Sequence, residues 1–115
     1  MLHLTPATVE ATYELLLTTL PFRRWKLPPA DDIEFRVGLS RTYRALYERE
    51  GAQHWITVSA RLINTLPELT LTMAHELVHV HLFDICPRDR DPHNKRFQNI
   101  AAHICRRHGF DPAAF

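Results

Sequence analysis

The chain has 115 residues, of which 45% are hydrophobic and 23% charged, and its net charge is +1. That length suits one domain with a real hydrophobic core, and the composition is that of a globular protein, which excludes the disordered and fibrous classes. Every long apolar stretch is broken by His, Glu or Thr, so nothing reads as a membrane span, and the balanced charge argues neither for nor against nucleic acid.

Met1 to Pro6 lack the basic and apolar regions of a signal peptide. Cys86 and Cys105 form no C-x-x-C pair, so the cysteines suggest neither a zinc ribbon nor a disulfide framework. These features point to a reducing, cytoplasmic setting.

In chain order, Thr5-Pro6 fits an N-cap followed by a first helical residue. Val9, Tyr13, Leu16, Leu17 and Leu20 recur at helical spacing, and Pro21 ends the pattern. Residues 22 to 32 hold Pro28 and Pro29 and read as a loop, with Trp25 folding back to cover the core. Ile33 to Leu39 alternates as a half-buried strand does. Tyr43 to Arg49 is a second, less clean strand. Gly51 sits in a turn at positive φ, and His54 to Ala60 is a third strand rich in aromatic and β-branched residues. Short links predict an antiparallel meander. Thr65 with Glu68 fits a capping box before a long helix with no Gly or Pro from Leu69 to Phe83. Asp84 to Asp91 is a charged loop. Asp91-Pro92 reads as N-cap and first residue of a last helix, which runs to about His108 and ends at Gly109.

The chemistry lies in the long helix, at His75-Glu76-Leu77-Val78-His79. Residues four apart share a helix face, so His75 and His79 can hold one metal ion, with Glu76 about 100° round the axis beside it. This is the H-E-x-x-H pattern: two zinc ligands and a carboxylate that serves as general base toward a zinc-bound water. With 8 His in the chain, chance alone would produce it at roughly the 3% level. The helix around it is apolar nearly all round and therefore buried, and two His and a Glu on a buried helix need a reason. A pair of hydrogen-bonded core histidines is the bland alternative.

A catalytic zinc needs a third protein ligand. The spacing H-E-x-x-H-x-x-G-x-x-H fails, because Leu82 and Ile85 stand where Gly and His are required. No Glu follows Glu76. His81 lies about 200° round the helix from His79 and faces away. In the last helix the apolar stripe is Phe97, Ile100, Ala101 and Ile104. His93 lies one turn before Phe97 on that stripe and points inward; His103 falls off it, and His108 lies ~22 Å further along. His93 is therefore the favoured third ligand. Asp91 is the runner-up, with its N-cap role the simpler reading.

His75 to Phe83, followed by Arg88-Asp89-Arg90-Asp91-Pro92-His93-Asn94-Lys95-Arg96-Phe97, resembles the SprT-like metalloprotease domain, which Spartan-type DNA–protein crosslink proteases also carry. That family's pattern is H-E-x-x-H, a short charged loop, then H-G-x-x-F. The resemblance implies one SprT-like domain over residues 1–115, with His75, His79 and His93 as Zn²⁺ ligands and Glu76 as the catalytic acid/base. Asn94 stands where the family usually has Gly. The resemblance also implies a protein or peptide substrate, with DNA-bound proteins as a candidate class.

The fold class expected is α+β and zincin-like: an N-terminal helix, a three-stranded antiparallel sheet, the H-E-x-x-H helix and a C-terminal helix. The function expected is zinc-dependent peptide-bond hydrolysis. A non-catalytic zinc-stabilised module that binds DNA or protein is the alternative, and the retained Glu76 counts against it. Two further expectations concern surfaces. The basic residues of 88 to 107 (Arg88, Arg90, Lys95, Arg96, Arg106 and Arg107) form a weak DNA-facing surface near the active-site entrance. The His54–Ala60 strand offers an exposed edge on which substrate pairs.

Overall fold

The computed structural model describes residues 2–88 and 91–115. Arg90 of the basic patch, with its neighbour Asp89, lies outside the described residues. The elements are α1 (Pro6–Leu17), two 3-10 turns (Phe22–Arg24 and Ala30–Asp32), β1 (Ile33–Gly38), β2 (Ala45–Glu50), β3 (Gln53–Ser59), α2 (Leu66–Ile85) and α3 (Lys95–His108). The architecture is α+β, with three α-helices and one three-stranded sheet among the described residues.

The helix starts follow from their caps. Thr5 accepts from the Thr8 N–H, with Pro6 at N1. Thr65 accepts from the Glu68 N–H, and Glu68 accepts in return from the Asn64 N–H and the Thr65 hydroxyl. Thr65 and Glu68 thus form the capping pair read from the sequence, although the returning bond lands one residue early. Gly51 and Gly109 both take the left-handed conformation expected of them, at φ 59° and 75°.

The sheet corrects the expected meander. Its order is β1-β3-β2, with β3 antiparallel to β2 but parallel to β1, so it is mixed. The Gly51 hairpin joins β2 to β3 as read. What the spacing did not reveal is that β1 lies on the far side of β3. The burial of each strand supplies the reason. His54, Ile56 and Val58 of β3 are all buried, so β3 takes the centre. β2 ends in Glu48, Arg49 and Glu50, all exposed, and charged residues belong on an edge. The expectation that β3 presents a free edge to substrate is therefore overturned: both its edges are paired.

One face of the sheet packs on the helices. Val9, Tyr13 and Leu16 of α1, Phe35 of β1, Ile56 and Val58 of β3, and Leu69, Met73 and Leu77 of α2 share one core. α3 adds Phe97 and Ile104, with Ile100 and Ala101 half-buried, the stripe read from its periodicity. α2 is buried over most of its length, Glu76 included. Trp25 packs against this core and stacks on His81, ring centroids 4.1 Å apart, which confirms its covering role and turns His81 away from the H-E-x-x-H face.

α3 starts later than read. Its N-cap is Asn94, whose side-chain oxygen accepts from the Phe97 N–H, and Lys95 is the first helical residue. Asp91 instead caps a turn upstream, accepting from the His93 N–H. Asx side chains compete for such positions, and the second of the two won. No described helix is long and apolar enough to cross a membrane. Cys86 and Cys105 are free thiols.

Candidate metal centre

His75 and His79 project from one face of α2, one turn apart. His93 reaches them from the turn before α3. Their Nε2 atoms stand 3.1 Å (75–79), 3.1 Å (79–93) and 3.3 Å (75–93) apart. Nothing in hydrogen bonding accounts for such a triangle. The Nε2 of a neutral imidazole carries either a proton or a lone pair. Among three of them at least two are alike, and that pair repels. A cation removes the conflict by accepting all three lone pairs. For tetrahedral zinc with Zn–N of ~2.0–2.1 Å, neighbouring ligand atoms lie ~3.3 Å apart. The three residues fit a metal ion on donor type and on spacing, and together they form the metal-competent cluster among the described residues.

Electrostatics favours the same state. Burial, then the neighbouring imidazoles of His75 and His93, pushes the His79 pKa down to about 3. Burial also holds His75 below the usual histidine range. Both rings are kept neutral, as metal ligands must be. His75 Nδ1 lies 2.6 Å from the main-chain oxygen of Phe115, which can only accept, so the proton is on Nδ1 and Nε2 is left bare.

Glu76 is buried, with 6% exposure, yet it lines a cavity of about 590 Å³ beside the tripod. Burial raises its pKa to about 7. Its carboxylate makes no hydrogen bond among the described residues, so it stays available to whatever enters. One turn earlier, Thr72 lines the same cavity, and its hydroxyl is buried without a hydrogen-bond partner among the described residues. The other walls are mainly apolar, with Tyr43, Leu46, Leu82 and Phe83 prominent.

The structure brings His75, Glu76, His79 and His93 to one place. It leaves others apart. Asp91 lines the cavity but spends a carboxylate oxygen on its cap. His103 is exposed, and His108 donates to the Leu20 carbonyl at 2.7 Å. Arg88 and Lys95 are exposed, and Arg96 donates to the Cys86 sulfur. His93 joins the tripod for a different reason than expected. It lies ahead of α3 in the turn that Asp91 and Asn94 cap, not on the helical stripe. Asn94 has φ −71°, an ordinary value, so this position makes no demand for the family's glycine.

Two contributors escaped sequence reasoning. Thr72 gave only a weak signal, a β-branched hydroxyl one turn before Glu76 on a buried helix. Phe115 gave none, because its partner is 40 residues away. No curated protein sequence matches the chain. The SprT-like family model matches residues 16–113, nearly all of it, and the stretch from His75 to Phe97 that carries the tripod lies inside the match. The chain belongs to the SprT-like family.

Proposed function

We propose that this protein is a zinc-dependent peptidase, with His75, His79 and His93 as ligands and Glu76 as the general base. The observation that carries the reading is the convergence of three Nε2 atoms at ligand spacing next to a buried carboxylate with no hydrogen bond among the described residues. Zinc held there would supply Lewis acidity, lowering the pKa of a water toward ~7 and polarising a carbonyl. Glu76 takes the proton from the attacking water and hands it to the leaving amine. Its elevated pKa suits both halves of that transfer, since an acid/base works best with a pKa near the operating pH. A purely structural zinc module has no use for a buried carboxylate at the wall of a large cavity.

The substrate is an extended peptide. β2 is an edge strand, and Arg44, Ala45, Leu46 and Tyr47 line the cavity, so β2 replaces β3 as the strand that pairs with substrate. The apolar walls favour apolar side chains near the scissile bond. DNA-bound proteins form the narrower substrate class suggested by the family, with a cytoplasmic setting.

The test is digestion of unfolded protein substrates by zinc-loaded protein, with and without single- and double-stranded DNA, alongside Glu76→Gln. Turnover should fall 10²–10⁴-fold in the variant, roughly the worth of a general base. Equal turnover by both proteins would remove Glu76 from the chemistry.

A further inference from the structure

We infer that residues 111–115 form a strap that positions His75 for metal binding, with Arg44 as its anchor. The inference rests on the metal reading above.

The chain leaves α3 at Gly109, whose N–H donates to the Cys105 carbonyl, as does that of Phe110. It then folds into a tight turn closed by Asp111. The N–H groups of Ala114 and Phe115 donate to the Asp111 carbonyl, and that of Ala113 donates to its side chain. From outside the turn, Arg44 Nη1 donates to the Ala114 carbonyl at 2.9 Å. Phe115 follows directly. Its ring packs 5.4 Å from His75 and 6.2 Å from Phe97, and its main-chain oxygen accepts from His75 Nδ1 at 2.6 Å.

Each link constrains the next. Asp111 and Arg44 fix the turn, the turn aims the Phe115 oxygen, and that oxygen fixes both the tautomer and the rotation of the His75 ring. The acceptor on the far nitrogen makes the ligating nitrogen more basic and stops the ring from flipping. Arg44 precedes β2, so the strap also ties the last turn of the chain to the strand that borders the cavity. Phe115 and Arg44 line the cavity as well, but in the strap they are positioning residues that act through His75.

The experiment compares the full chain with a deletion of Ala113–Phe115, with Phe115→Ala, and with Arg44→Ala and Arg44→Lys. Zinc affinity is read by competition with a chelator. The His75 Nδ1–H signal is read by imidazole NMR on nitrogen-labelled protein. The deletion should lose that signal and roughly 10–100-fold in zinc affinity, the usual cost of removing a ligand's outer partner. Phe115→Ala keeps the main-chain oxygen and should keep the signal and most of the affinity. Arg44→Ala should weaken both readouts several-fold, with Arg44→Lys in between.

Should the deletion fail to fold, Arg44→Ala decides alone, since its exposed side chain is not part of the core. Unchanged affinity and an unchanged Nδ1–H signal in Arg44→Ala would overturn the strap, as would a loss in Phe115→Ala equal to that of the deletion. A full chain that takes up no zinc overturns the metal reading and this inference together. A full chain that binds zinc, and a deletion that binds it equally well, overturns this inference alone.

Discussion

The Phe97 ring lies 4.8 Å from the His79 imidazole, with an angle of 28° between their planes. The same ring stands 4.9 Å from both His75 and His93. One buried aromatic residue from the first turn of α3 thus touches all three rings of the tripod. It joins packing to function, because the residue that seals α3 onto the core also sets where the imidazoles stand. Phe97→Ala should cost about 3–5 kcal/mol of stability, as for other buried aromatic truncations. Phe97→Leu should cost less, yet it removes the flat surface, so zinc affinity should fall by more than the stability loss implies. Chemical denaturation and zinc titration on both variants check this. Equal zinc affinity in Phe97→Leu and the parent would make Phe97 a packing residue alone.

The ligand set gives the next prediction. His75→Ala, His79→Ala and His93→Ala should each lose tight zinc binding, whereas Asp91→Ala should keep it and lose only a turn cap. Metal analysis after dialysis reads the result. Zinc retained by His93→Ala but lost by Asp91→Ala would replace the third ligand.

Asn94 makes a separate, smaller prediction. It is the N-cap of α3 and has an ordinary φ, so what matters is its side-chain oxygen. Asn94→Ala should cost about 1 kcal/mol, and Asn94→Gly only a few tenths. Thermal unfolding compares the two. A larger loss for Gly than for Ala would contradict the capping account.

These residues show how much could be read from the sequence. Local chemistry was legible: Thr5, Thr65 with Glu68, Gly51 and Gly109 each signal their role within four residues. The three-histidine cluster was legible too: His75 and His79 share one helix face, and His93 was placed with them, although it stands in the turn before α3 and not on the stripe that pointed to it. Non-local choices were not. Nothing between Gly38 and Ala45 says on which side of β3 strand β1 will lie; the burial of Ile56 and Val58 decides that, and burial is a property of the whole fold. Asp91 and Asn94 are both good caps, and their competition moved the start of α3 by three residues. The bond from His75 to Phe115 spans 40 residues and involves a main-chain oxygen, which has no residue type to read.

The buried carboxylate of Glu76 predicts a pH effect on metal-free protein. Its pKa rises from 4.5 to about 7 on folding, because burial penalises the charged form. A raised pKa means its stabilising contribution is complete below 4.5 and is lost as pH rises through about 7. In chelator, Glu76→Gln should therefore gain stability over the parent at pH 8, on the order of 3 kcal/mol, and gain little at pH 4. Denaturant melts at the two pH values measure it. A gain confined to the acidic side would reverse the sign and refute the account.

Thr72 carries an analogous cost. Its hydroxyl is buried at the cavity wall without a partner among the described residues. An unmet hydroxyl costs about 1–3 kcal/mol. Thr72→Val preserves shape and removes it, so the resting protein should become more stable while turnover falls, if the hydroxyl serves a water or substrate beside Glu76. Raised stability with unchanged turnover would leave Thr72 as a structural oversight of the fold.

The last prediction concerns how β2 holds substrate. In an antiparallel pair, residues alternate between those bonded to the partner strand and those whose N–H and C=O point outward. The Ser59 N–H donates to the Arg44 carbonyl, which makes Arg44–Ser59 a bonded pair. Ala45 pairs with Val58 and Tyr47 with Ile56, so these two fall on the alternate phase, and their N–H and C=O groups face the free edge. A substrate strand laid along β2 would bond to them. Tyr47 is a poor place to test this, because its hydroxyl bonds to His54 Nδ1 at 2.8 Å. Ala45 is small and makes no side-chain hydrogen bond. Ala45→Pro removes an outward N–H while sparing the bonds to β3, and proline is tolerated on an edge strand in that orientation. The variant should fold, bind zinc as the parent does, and cleave peptides at least tenfold more slowly, chiefly through a higher KM. Circular dichroism, zinc titration and steady-state kinetics establish the three points. A folded, zinc-loaded Ala45→Pro protein with parental kinetics would exclude pairing of substrate on β2.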